Sequence, residues 1–189
     1  MTNPNFDSLE HYRDVESINH YHILKEQGVA EEEIVKILMK KSRDNARTPM
    51  QWSKDTNGGF THGIPWIPLA SNYEKINSQS ALDDKASVFY YYKRLIELRK
   101  ELPVIAEGSF EPLLKGHDSV FAYLREHKES RLLVINNFYG RETTIDLSGE
   151  LKLECLRGIP ILYNYEAVPA YNRIISLRPY ESIVYNIVK

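Results

Sequence analysis

The chain has 189 residues, enough for one or two domains with a sizeable core, and its 42% hydrophobic and 26% charged content is ordinary for a globular protein. A formal net charge of -2 gives nucleic acid or an anionic membrane surface nothing to bind through bulk electrostatics, and no apolar run reaches membrane-spanning length. A single cysteine, Cys155, excludes an internal disulfide; with polar residues after Met1 in place of a signal peptide, it points to a reducing, cytoplasmic setting.

Taken in order, Asp7 with Glu10 three residues on reads as a capping box. The helix it opens carries Leu9, Tyr12, Val15, Ile18 and Tyr21 or His22 at helical spacing and ends at Gly28. His20 and His22 are two apart, so they face different sides of that helix and make a poor metal pair. A second helix starts near Ala30, with Glu31, Glu32 and Glu33 at its head, Lys40 and Lys41 at its tail, and an apolar stripe of Ile34, Ile37 and Leu38.

From Asn45 to about Ser80 the pattern is irregular, broken by Pro49, Gly58-Gly59, Pro65 and Pro68. So long a loop is usually functional or draped over a neighbouring domain. Trp52, Phe60 and Trp66 either line a sugar site or anchor this loop, and anchoring is the commoner use; His62 reads as a surface residue. A third helix is expected from about Asp83 or Asp84 to Leu102, buried along Val88, Phe89, Tyr92, Leu95, Ile96 and Arg99 or Leu102 and stopped by Pro103. Its Tyr90-Tyr91-Tyr92 cluster presents aromatics all round, as for a helix packed between two neighbours.

After Gly108 the period becomes that of strands: 110–114, 120–125, 132–138, 142–147, 151–156, 159–163, 174–177 and 182–188. Short, evenly spaced strands argue for an antiparallel β-sandwich. Cys155 sits in one of these alternations and reads as a buried, inert thiol.

The chemistry concentrates in Ser42-Arg43-Asp44-Asn45-Ala46-Arg47-Thr48-Pro49-Met50-Gln51-Trp52. Two arginine forks flanking Asp and Asn suit a hydroxyl-rich or anionic ligand, and suit equally a buried salt-bridge network that ties a loop to its scaffold. CxxC, HExxH, G-x-S-x-G and phosphate-cradling Gly-rich patterns are missing from the chain, so neither a metal nor a cofactor is expected.

This stretch, followed by Asn57-Gly58-Gly59-Phe60-Thr61 and Pro65-Trp66-Ile67, resembles one found in α-glucosidases of the α-amylase superfamily. The branch is that of the oligo-1,6-glucosidases, dextran glucosidases and trehalose-6-phosphate hydrolases. Met1-Thr2-Asn3-Pro4, Tyr12-Arg13-Asp14-Val15-Glu16-Ser17 and Leu177-Arg178-Pro179-Tyr180-Glu181 have counterparts there too. The first two, with Lys41-Ser42, lean toward the trehalose-6-phosphate enzymes. The resemblance covers essentially the whole chain but only the last third or so of such an enzyme.

The fold it implies is α+β: residues 1–105 as the C-terminal helices and loop of a (β/α)8 catalytic barrel, and 106–189 as an antiparallel β-sandwich domain. It implies retaining hydrolysis of an α-glucosidic bond in the intact enzyme, by catalytic carboxylates that none of the 26 acidic residues here matches. Arg43 matches the family arginine that hydrogen-bonds the glucose at the cleavage subsite, and Asp44 and Arg47 either orient Arg43 or stiffen the loop. The isolated chain is therefore expected to be inactive and, lacking the N-terminal barrel portion, to self-associate through exposed apolar surface. A free-standing glucan-binding sandwich and an inactive remnant are the alternatives.

Overall fold

The computed structural model describes residues 1–150 and 157–188; Cys155 and the strand expected at 151–156 lie outside the described residues. The chain forms two compact units, Met1–Tyr90 and Tyr91–Lys189.

In the first unit the helix expected from Asp7 is interrupted. A single 3-10 turn, Leu9–His11, is capped by the Ser8 hydroxyl and ends at Tyr12, whose backbone is extended. Helix α1, Val15–Glu26, starts afresh with the Asp14 carboxylate accepting the N–H of Ser17. The break has a tertiary cause. The N–H groups of Arg13 and Asp14, which a continuous helix would bond internally, donate instead to the side chain of Asp44.

Gly28, at φ +80°, turns the chain into α2, Glu31–Lys41, which is acidic in its first turn and basic in its last, as the helix dipole favours. Its buried residues are Ile34, Val35 and Leu38; Ile37, expected on the stripe, is only half-buried. Phe6, Tyr12, Tyr21, Ile34, Leu38 and Ile67 join in one apolar core. Tyr12 is thus buried as expected, but from a linker and not from a helix face.

The segment after α2 contains two further 3-10 turns, Arg43–Ala46 and Thr56–Gly59. It is fixed by backbone bonds, Trp52 N–H to Gly58 O at 2.8 Å and Ser78 N–H to Gln51 O at 2.8 Å, and by burial of Pro49 and Ile67. Gly58 is required there: it lies at φ +63°, and a Cβ would stand 2.7 Å from the Leu69 side chain. Trp52, Phe60 and Trp66, expected as loop anchors, are instead 52%, 50% and 70% exposed, because main-chain bonds and Ile67 do the anchoring.

The expected third helix is α4, Val88–Glu101, which starts about four residues later than expected and is ended by Pro103 as expected; it runs from the first unit into the second, with α3, Ser78–Asp83, before it and α5, Pro103–Glu107, after it. The face of α4 expected to be buried is largely uncovered. Val88, Tyr92 and Ile96 are 82%, 63% and 44% exposed, and Leu98 is the only buried residue of this helix.

In the second unit the strands are β1 Glu111–Leu113, β2 Val120–His127, β3 Ser130–Asn137, β4 Thr143–Asp146, β5 Arg157–Tyr163, β6 Ile174–Leu177 and β7 Ser182–Val188. All described pairings are antiparallel. They form a five-stranded sheet, β1-β2-β3-β7-β5, and a two-stranded sheet, β4-β6. Alternate residues point to a shared core: Ala122 and Leu124 from β2, Leu133 and Ile135 from β3, Ile183, Tyr185 and Ile187 from β7, with Ile145, Ile175 and Leu177 from the smaller sheet. The expected sandwich is therefore present, and β6 and β7 have the expected limits.

Glu181, buried at the start of β7, accepts the backbone N–H of Arg178 at 2.7 Å and pairs with its guanidinium, which also lies over the Tyr165 ring at 4.0 Å. That pairing accounts for the Leu177-Arg178-Pro179-Tyr180-Glu181 sequence as a structural corner. Truncating Ile135, fully buried between the sheets, to Ala should cost about 2–5 kcal/mol through lost burial and a residual cavity, read as a lowered denaturation midpoint.

Candidate functional site

The site is built from the end of α2 outward. Ser42 closes α2 and caps the following turn, its hydroxyl oxygen accepting the N–H of Asp44 at 3.2 Å. Asn45 turns back and donates its side-chain amide to the carbonyl of Met39 at 2.9 Å, satisfying a helix-end acceptor. These two contacts direct the side chains of Arg43, Asp44 and Arg47 differently.

Asp44 is fully buried. Its Oδ2 accepts the backbone N–H groups of Arg13 at 2.6 Å and Asp14 at 2.8 Å, and its Oδ1 lies 3.4 Å from the Arg47 guanidinium. The same Arg47 nitrogen lies 3.2 Å from Oδ1 of Asp14, so one cation bridges two buried carboxylates. The Ser17 hydroxyl stands 2.9 Å from Oδ2 of Asp14 and 2.8 Å from the Ser42 hydroxyl, linking the helix N-terminus to the turn. Two negative charges facing one guanidinium are sustained here by backbone and hydroxyl donors, as a buried ionic group requires.

Arg43 stands apart from this frame. Its side chain is 65% exposed and meets Glu16 at 2.7 Å, itself 70% exposed. The segment thus combines both uses that two arginines beside Asp and Asn allow. Asp44 and Arg47 belong to a buried network, and Arg43 is a fork held outward beside it.

Sequence reasoning singled out Arg43, Asp44 and Arg47 but did not assign the partners Asp14 and Ser17. The signal was present: the spacing Asp14-x-x-Ser17 is that of an N-cap with its third helical residue, within a motif that accompanies the arginine segment.

The electrostatics follow the geometry. Burial raises the Asp14 carboxyl, but the Ser17 hydroxyl and backbone N–H and the Arg47 guanidinium outweigh it, so its pKa lies below the ordinary 3.8. Tyr12, whose hydroxyl donates to the Phe6 carbonyl at 3.2 Å, is pushed up to about 12 by burial and by the Asp44 and Asp7 carboxylates. Among the described residues no cluster of three or more His, Cys, Asp or Glu side chains has the arrangement to hold a metal.

Comparison with known proteins interprets this frame. Residues 2–108 match the family model of the α-amylase catalytic domain. The chain belongs to the α-amylase family. Residues 120–184 match the C-terminal domain of the α-amylase SusG, so the helical part is the end of an α-amylase catalytic domain and the sandwich is the C-terminal domain of such enzymes.

Among relatives, the trehalose-6-phosphate hydrolase of Bacillus subtilis is 49% identical over all of this chain and 34% of its own length. The oligo-1,6-glucosidase of Halalkalibacterium halodurans is 43% identical over 98% of this chain and 33% of its own length. The crystal structure of Bacillus licheniformis trehalose-6-phosphate hydrolase superposes with a TM-score of 0.96 at 48% identity, over the whole chain and 34% of that protein. The chain spans about a third of the length of the α-amylase family members it matches.

Two predictions arise from this frame. Asp44→Ala, which leaves two buried N–H groups and part of Arg47 without their acceptor, should destabilise the first unit by about 3–5 kcal/mol, whereas Arg43→Ala should change stability by no more than about 1 kcal/mol in denaturant titration. The lowered Asp14 pKa means that ionised Asp14 contributes stability above pH 3.8, which is lost as the pH falls through its lower folded value. The thermal midpoint should therefore drop on acidification through this range, and Asp14→Asn should flatten that drop.

Proposed function

We propose that this chain serves as the C-terminal portion of a retaining α-glucosidase of the trehalose-6-phosphate hydrolase type. The observation that carries the proposal is the match to trehalose-6-phosphate hydrolases over the entire chain, with the Arg43 fork standing outward from a buried frame. In this role the first 105 residues complete a catalytic (β/α)8 barrel and residues 106–189 form its sandwich domain, in the cytoplasm.

Retaining hydrolysis needs a carboxylate nucleophile and a carboxylic acid roughly 5 Å apart across the scissile bond, passing through a glucosyl-enzyme intermediate. In the proposed enzyme both come from the barrel portion that precedes the matched third. This chain contributes positioning. The planar guanidinium of Arg43 offers several donors in a fixed fork and holds sugar hydroxyls, fixing the glucose ring relative to the nucleophile. Asp44 and Arg47 act through Arg43 by immobilising the turn that carries it.

The partner set is then an α-glucoside and the N-terminal barrel portion, with neither nucleic acid nor membrane. The oligo-1,6-glucosidase reading rests on the 43% identity to that enzyme and is the second choice, because identity to the trehalose-6-phosphate enzyme is higher. The chain alone, with α4 uncovered, should self-associate on concentration.

The test is a chimera in which this chain replaces the matching third of the Bacillus subtilis trehalose-6-phosphate hydrolase. The chimera should hydrolyse trehalose-6-phosphate and the isolated chain should not. Arg43→Ala in the chimera should lower kcat/KM on the order of 100-fold with the thermal midpoint unchanged. A stable chimera without hydrolysis, or an Arg43→Ala chimera with normal kinetics, overturns the assignment.

A further inference from the structure

The turn between β1 and β2 is closed by an imidazole. Nδ1 of His117 accepts the backbone N–H of Ser119 at 3.2 Å and that of Val120 at 3.1 Å. Both residues are buried, so their amides depend on these two acceptances. On its other side Ser119 is tied to the sheet, its carbonyl accepting the N–H of Phe138 at 3.0 Å, and Val120 pairs with Asn137 of β3. The imidazole is therefore the link between the turn and the start of β2. A ring nitrogen that accepts carries no proton, which places the ring's one proton on Nε2 and makes the ring neutral. Histidinium has no acceptor, so a proton on Nδ1 would face two N–H donors and both bonds would be lost.

The rest of the turn is poised to relax when they go. Leu114, half-buried against the sandwich core, sits at φ +50°, a left-handed conformation that leucine keeps only under constraint. Its carbonyl accepts the N–H of His117 at 3.0 Å, so the constraint on Leu114 and the position of the imidazole are coupled. The ring has somewhere to go. His117 is exposed and walls a cleft of about 540 Å³, which it shares with Asp118 of its own turn and with Arg141 and Glu142 of the β3–β4 connection. Lys115, two residues before it, is the further charge on the turn. The two carboxylates of the cleft accept hydrogen bonds from an imidazolium, whereas Arg141 and Lys115 repel it.

We propose that His117 is a pH-operated latch on the β1–β2 turn: the neutral imidazole holds the turn closed, and protonation releases the ring toward the carboxylates of Asp118 and Glu142. The device lies wholly within the second unit and does not depend on the function proposed above. It has the two parts that such a switch needs, a group that changes charge in the ordinary range of histidine and a strained segment with a second arrangement open to it.

The state of the latch is read on the full chain at about pH 8 and about pH 5, by amide hydrogen exchange corrected for the intrinsic effect of pH and by nitrogen NMR spectra of the imidazole. At the higher pH His117 should show the Nε2–H tautomer, and the amides of Ser119 and Val120 should be protected. At the lower pH both should lose protection by at least about 10-fold, in step with the titration of His117, while the amides of β3 and β7 stay protected. His117→Asn puts an amide oxygen near the place of Nδ1 without a titrating group, so it should keep both amides protected at both pH values; His117→Ala should leave them unprotected at both. Protection at Ser119 and Val120 that ignores pH, an Nδ1–H tautomer at the higher pH, or a pH step that persists in His117→Asn overturns the inference. Protection lost from β3 and β7 together with Ser119 and Val120 is acid unfolding of the whole unit, which also overturns it.

Discussion

A buried carboxylate organises the first ninety residues. Asp44, fully removed from solvent, takes the backbone N–H groups of Arg13 and Asp14 and shares Arg47 with the Asp14 carboxylate. Each of those acceptances has a structural consequence. By occupying two N–H groups, Asp44 stops the first turn at His11 and lets Asp14 cap a new helix. By holding Asp14 and Arg47 it joins the start of α1 to the turn after α2. Arg43, one residue before Asp44, is thereby presented from a rigid support although its own side chain is exposed and its ion pair with Glu16 is weak. Rigid support is what the positioning role proposed for Arg43 requires, since displacement of about 1 Å is enough to lose much of such an effect.

The two units differ in how complete they are. The sandwich encloses its own core, with both sheets contributing side chains that are essentially inaccessible. The first unit buries a smaller set around Tyr12 and Ile34 and leaves Trp52, Phe60 and Trp66 facing outward. That asymmetry agrees with the family matches, in which the sandwich corresponds to a C-terminal domain and the helices to the end of a catalytic domain. Helix α2 owes its formation to local propensity and to the acidic first turn and basic last turn that suit the helix dipole.

Most of the sandwich was legible because its signal is local: period-two alternation bounded by Gly, Asn and Pro, as in 174–177 and 182–188, where expected and observed limits coincide. Features set by distant contacts were not. The capping box at Asp7 is a valid local signal that loses to Asp44, thirty residues beyond Asp14, and no pattern within one helix announces that competition. The apolar stripe of α4 was expected to be buried and is exposed instead, because helical spacing marks an apolar face but not whether anything packs on it. At the site, composition identified Arg43, Asp44 and Arg47 as a group, while burial and hydrogen bonding were needed to separate the outward fork from the frame beneath it. Asp14 and Ser17 lie in the Tyr12-Arg13-Asp14-Val15-Glu16-Ser17 motif but acquire roles only through Ser42, Asp44 and Arg47.

Amide hydrogen exchange at Arg13 and Asp14 tests the dependence on Asp44 most directly. Both N–H groups lie outside helix hydrogen bonding and are held by one carboxylate, so the account predicts slow exchange in the wild-type chain, comparable with the middle of α2. Both should be lost together in Asp44→Ala while the amides of β3 and β7 stay protected. Fast exchange at Arg13 and Asp14 in the wild-type chain, or protection there that survives Asp44→Ala, would contradict it.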